Sequence, residues 1–124
     1  MADWVTKDEE LVVKLDDLLA DAVVTRKSFF GNVAWFIDSN DQIFVQTWGV
    51  DIALRLGSTN ASILIDSQQM SEFNPSGHRP KQEYVLLSQR QHSSDEYLLN
   101  WLELAIEYVE SLPPKPKKKS RKGS

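Results

Sequence analysis

The chain has 124 residues, 41% hydrophobic and 26% charged, which suits one globular domain and excludes wholesale disorder. It contains no cysteine, which removes disulfides, thiol nucleophiles and cysteine-ligated zinc. The net charge of -4 is unevenly placed: residues 1–114 hold eight Lys and Arg against all 18 Asp and Glu, net -10, and residues 115–124 hold six cations.

From Asp8 to Val24, Leu11, Leu15, Leu18, Leu19 and Ala22 recur at three- and four-residue steps, which predicts an amphipathic helix with Thr6 as N-cap. Phe29–Ile37 and Gln42–Trp48 are rich in aromatic and β-branched residues. They flank Asp38-Ser39-Asn40-Asp41, so they predict a hairpin with a four-residue loop. A third strand follows Gly49, with Ile52, Leu54 and Leu56 on one face and Ala53 and Arg55 on the other, completing a three-strand meander.

Beyond Gly57, residues Asn60 to Met70 predict a short helix, and Phe73 to Lys81, with two prolines and Gly77, a loop. Glu83 to Ser88 predicts a fourth strand. Ser93-Ser94-Asp95-Glu96 predicts the capped start of a long helix bearing Leu98, Leu99, Trp101, Leu102, Ala105, Ile106 and Val109, which Pro113 and Pro114 end. The expected architecture is a two-layer α+β domain over residues 1–114, with a disordered basic tail over 115–124. The acidic N-terminus has no secretory-signal pattern and no apolar run reaches the roughly 20 residues of a membrane span, so the expectation is a cytoplasmic protein without membrane association.

The pair Gly31-Asn32 interrupts an apolar run. Both residue types tolerate positive φ, and the pair reads either as a joint where the chain passes from the first helix into the sheet or as part of a ligand-binding loop.

Several of these residues together resemble the N-terminal domain of the TfoX (Sxy) family. The matching elements are Phe29-Phe30-Gly31-Asn32 after the first helix, Arg55-Leu56-Gly57 on the third strand, Gly77-His78-Arg79-Pro80-Lys81 before Tyr84-Val85, and Trp101 with Ser111-Leu112-Pro113-Pro114-Lys115 on and after the last helix. They span about Leu11 to Lys115 in the family's order. Asn32 stands where the family pattern has a second glycine, and the competence regulator itself continues into a second helical domain without counterpart in this sequence. The resemblance implies a two-layer α+β fold similar to that of type III secretion chaperones and no established catalysis.

The residues point the same way on chemistry. There is no G-x-S-x-G elbow, dinucleotide fingerprint, phosphate-binding loop or H-E-x-x-H helix. His78 and His92 are the only imidazoles; their spacing suits no metal site, and His78, beside Arg79, is the one placed for acid–base work. No enzyme activity, metal or cofactor is expected. Arg55, Arg79 and Lys81 are candidates to hold an anionic group, with the alternative that Arg55 pairs with Asp51 or Glu83. Phe36 and Trp48 are candidates for a face used in self-association or partner binding, unless all the aromatics share one core. Lys117, Lys118, Lys119, Arg121 and Lys122 either give salt-sensitive, sequence-blind nucleic-acid affinity or simply solubilise the chain. The expected function is a non-enzymatic regulatory or adaptor module acting through protein contacts; the alternative is a nucleic-acid-associated protein working through the tail.

Overall fold

The computed structural model describes residues 5–114; the expected disordered tail, with its candidate nucleic-acid contacts Lys117, Lys118, Lys119, Arg121 and Lys122, lies outside the described residues. The elements run α1 (Glu9–Leu18), β1 (Val24–Phe29), β2 (Asn32–Ile37), β3 (Gln42–Trp48), β4 (Asp51–Arg55), α2 (Ser58–Asp66), β5 (Ser71–Glu72), β6 (Tyr84–Leu87) and α3 (Asp95–Glu110). Among the described residues they make an α+β structure: one open antiparallel sheet in the order β1-β2-β3-β4-β6-β5, with three helices. The sheet has six strands rather than the expected four, and the meander four rather than three.

The additional long strand comes from the start of the chain. The first helix ends at Leu18, not Val24, because Val23, Val24 and Thr25 are β-branched, and their stiff side chains suit β1 better than a continued helix. Its N-cap is Asp8, whose side chain makes no capping bond, rather than Thr6. The Lys7 amide donates to the Gly31 carbonyl at 2.9 Å, which holds this stretch against the sheet and delays the helix.

Gly31 and Asn32 are therefore not where a helix passes into the sheet. Phe29 pairs with Asn32, leaving Phe30-Gly31 as a two-residue turn between β1 and β2, with φ of 51° and 83°. Positive φ at both positions is the turn pattern that matches strand twist, and glycine meets it without steric cost. Asn32 is the first residue of β2 and only 2% exposed. Its side-chain NH2 donates to the Val5 carbonyl at 2.8 Å, and its oxygen accepts from the Thr47 hydroxyl and the Gly49 amide, each at 3.0 Å. One amide thus ties the N-terminal segment, the β1–β2 turn and the β3–β4 turn together.

Pairing sets the core. Trp35, Val45, Leu54 and Val85 lie abreast across β2, β3, β4 and β6, and the helices supply Leu11, Leu15, Leu98, Leu102, Ala105 and Val109 above that face. Removing each large apolar side chain from water contributes about 1.5–3 kcal/mol. Trp35 is 1% exposed, and its indole N–H donates to Asp16 on α1 at 3.1 Å while Arg26 on β1 pairs with the same carboxylate. At the far end, Asn40 in the β2–β3 loop is buried and donates to the carbonyls of Val109 and Leu112, and Gln42 donates to that of Pro113. The loop that the sequence predicts as a turn thereby adds donors to carbonyls at and after the end of α3, of which that of Val109 also accepts from the Leu112 amide at 3.0 Å. The start of α3 is capped by Ser94, which accepts from the Tyr97 amide at 3.3 Å.

Candidate functional site

α3 carries two apolar stripes. Leu98, Leu102, Ala105 and Val109 are buried against the sheet. One position earlier in each case, Tyr97, Trp101, Leu104 and Tyr108 form a second stripe at four-, three- and four-residue spacing, which places them on an adjacent face of the same helix. Trp101, Leu104 and Tyr108 form one wall of a groove of about 390 Å³, and Leu56, Ile63 and Leu64 form its floor and opposite wall on the α2 side. Leu56 and Leu64 are buried at its base. Ile63 is 58% and Leu104 48% exposed, so apolar side chains that would normally seek cover stand open to water on both walls. Tyr97 extends the stripe, its ring 6.3 Å from that of Trp101.

Two features position Tyr108 at one end of the groove. Gly57, the N-cap of α2, has φ 94° and ψ 151°, a region that only glycine occupies cheaply, and a Cβ there would meet the Tyr108 ring at 2.9 Å. The missing side chain lets Tyr108 lie against the backbone. The Tyr108 hydroxyl then donates to Glu83 at 3.2 Å, and Glu83 also accepts from Arg55 Nε at 2.8 Å. Burial and the Glu83 carboxylate push the Tyr108 phenol above its ordinary value, with Arg55 opposing. Burial likewise raises Tyr84, with Arg55 opposing and Glu83 adding to the rise.

Arg55 is thus committed within the fold. Its Nη1 also donates to the Gln42 side chain at 3.0 Å and to the Ile43 carbonyl at 3.4 Å, so the pairing with Glu83 is the geometry that this structure adopts. Arg55, Arg79 and Lys81 do line one open depression beside the 73–83 segment, together with Glu83 and Tyr84. Arg79 and Lys81 are exposed there, and the arginine best placed to grip an anion is neutralised by Glu83. Gly77 and His78 lie exposed in the same segment, whose turn is set by Asn74 accepting from the Gly77 amide.

The register places Phe36 and Trp48 on the sheet face away from the helices. That face is largely covered. Phe36 is 7% exposed with the Lys27 ammonium 4.5 Å from its ring centre, and half-buried Trp48 meets Phe73 edge-on at 5.5 Å, which in turn contacts Tyr84. Trp35 and Phe44 belong to the main core while Trp48, Phe73 and Tyr84 form a separate cluster, so neither a bare aromatic face nor one shared core describes the aromatics.

His92, not His78, is the buried imidazole: 4% exposed, with Nε2 2.7 Å from the Val50 carbonyl. Among the described residues no group of three or more His, Asp or Glu is placed to hold a metal ion, and no helix is long and apolar enough to cross a membrane. The exposed walls Ile63 and Leu104 escaped the sequence reading; the available signal was the second stripe through Tyr97, Trp101, Leu104 and Tyr108. Comparison with protein-family models, with curated proteins and with solved structures finds no match for this chain.

Proposed function

We propose that this chain is a non-enzymatic adaptor or regulatory module that works through protein contacts, and that the groove between α2 and α3 is its contact surface. The observation that carries the reading is the pair of facing exposed walls, Ile63 and Leu104, over a floor of buried Leu56 and Leu64. Apolar side chains held open over a formed groove are a recurrent mark of a protein interface. The resemblance to TfoX N-terminal domains fits the same reading, because Leu56, Gly57 and Trp101, three of the residues that carry it, all meet at this groove. The Arg55–Glu83–Tyr108 bonds serve it by fixing one end.

The test is photo-crosslinking in the cell. A photoreactive phenylalanine analogue in place of Ile63 should yield a discrete protein adduct that survives nuclease treatment. The same analogue at Val13, which is 59% exposed on α1, should yield none. Equal, diffuse crosslinking from both positions would show that the groove is ordinary surface. An adduct lost to nuclease would favour a nucleic-acid-associated role instead.

A further inference from the structure

We infer that the groove receives a cationic amphipathic helix from a partner protein, an inference that rests on the groove being the contact surface. The reason is charge. α2 and α3 together carry Asp66, Asp95, Glu96, Glu103, Glu107 and Glu110 and not one Lys or Arg. Asp95 is paired with Lys14; among the described residues Glu96, Glu103, Glu107 and Glu110 are in no ion pair. On a wheel of 100° per residue Glu107, Glu96 and Glu103 fall roughly 90°, 110° and 130° from the middle of the Tyr97–Tyr108 stripe, on the side away from the core, and Glu107 also lines the groove itself. A ligand lying on the stripe therefore has α2 along one flank and a row of carboxylates along the other.

The shape selects a helix. The stripe repeats at four, three and four residues, the spacing at which two helices interlock, and from Tyr97 to Tyr108 it runs about 17 Å, or three turns. A partner helix with apolar residues at matching spacing seats them between Ile63 and Leu104, and Lys or Arg beside that stripe meets Glu103 and Glu107. Electrostatic complementarity of this kind selects partners and speeds encounter. A second copy of this chain is disfavoured by the same residues, since two α3 helices facing each other bring glutamate rows together.

The probe is a labelled 18-residue peptide with leucines at heptad a and d positions and lysines elsewhere, titrated with the full chain by fluorescence anisotropy. Two comparators are used: the same peptide with glutamate for lysine, and one of the same composition with the leucines moved off the stripe. The amphipathic lysine peptide should bind at least about tenfold more tightly than either comparator at ~0.15 M salt. Ile63→Ser with Leu104→Ser should weaken it at least about tenfold, and Glu103→Gln with Glu107→Gln about three- to tenfold, with a flatter salt dependence. If the rearranged peptide binds equally, charge alone is responsible and the inference fails. Equal or tighter binding of the glutamate peptide, lost in the Ile63/Leu104 variant, removes the cationic partner and leaves the groove standing. Binding that neither variant changes removes the groove as the peptide's site. No binding by any peptide, or a concentration-dependent dimer that Ile63→Ser with Leu104→Ser dissolves, also overturns it.

Discussion

Asn32 offers the sharpest test of how the fold is held. Replacing it with alanine removes the donor to Val5 and the acceptor for both Thr47 and Gly49, at a position only 2% exposed. Each lost bond is worth about 1 kcal/mol net, and stranding partners away from water adds to that, so about 3 kcal/mol of destabilisation is expected. For a domain of this size that is a fall in melting temperature of roughly 10 °C, and urea unfolding should show the same loss as a shifted midpoint with an unaltered slope. Asn32→Asp separates the contributions: it keeps both accepted bonds, loses the donated one and buries a charge, so it too should destabilise. Hydrogen exchange at the Lys7 amide, bonded to Gly31, should accelerate in both variants. A loss below about 1 kcal/mol for the alanine variant would refute the claim that this side chain ties the N-terminal segment and two turns together.

Gly57→Ala should cost about 1–3 kcal/mol by thermal or urea unfolding, because the new Cβ occupies a glycine-only backbone region and strikes Tyr108; unaltered stability would mean the ring moves aside freely. Gly31→Val should lower stability by more than about 1 kcal/mol, since a β-branched residue takes the φ of 83° in this two-residue turn only at a cost; unaltered stability in urea would contradict the turn geometry. Tyr84 and Tyr108 both bind their protons more tightly in the folded chain than at the ordinary value of 10.0. Their contribution is therefore fully present below pH 10.0 and is lost as pH climbs through the raised folded values, so Tyr84→Phe and Tyr108→Phe should each flatten the fall in stability measured above pH 10.

Much of the sheet is legible from alternation. Val33, Trp35 and Ile37 share the core face and Ala34 and Phe36 the other, β3 runs over the predicted Gln42–Trp48, and the four-residue loop after β2 is where its turn residues stand. What the pattern missed has physical causes. β1 is an edge strand whose central residues Thr25, Arg26, Lys27 and Ser28 are exposed, so it lacks the apolar alternation that marks a half-buried strand, and its Val24 can be read as the last turn of the preceding helix. β5 is two residues long and exists only by pairing with β6. The candidate site was the least legible part. Leu104 falls outside the core stripe of α3 and Ile63 lies on a helix with both faces mixed, so their facing one another depends on how α2 and α3 dock. Arg55 was visible as a singular cation among apolar residues. Glu83, 28 positions away, is one of the two partners that the sequence suggests for it and the one it takes, whereas Gln42 and Tyr108 join only through the tertiary fold.

The central claim is that Ile63 and Leu104 are exposed for contact rather than for folding. Its most direct measurement is a paired one on the full chain carrying Ile63→Ser and Leu104→Ser: the stability, and the yield of crosslinked partner from a photoreactive residue at Asn60 on the groove rim. The double variant should stay folded with a stability loss of no more than about 2 kcal/mol, since about half of each side chain is already in water, and it should lose the adduct. An adduct undiminished in a folded double variant would contradict it.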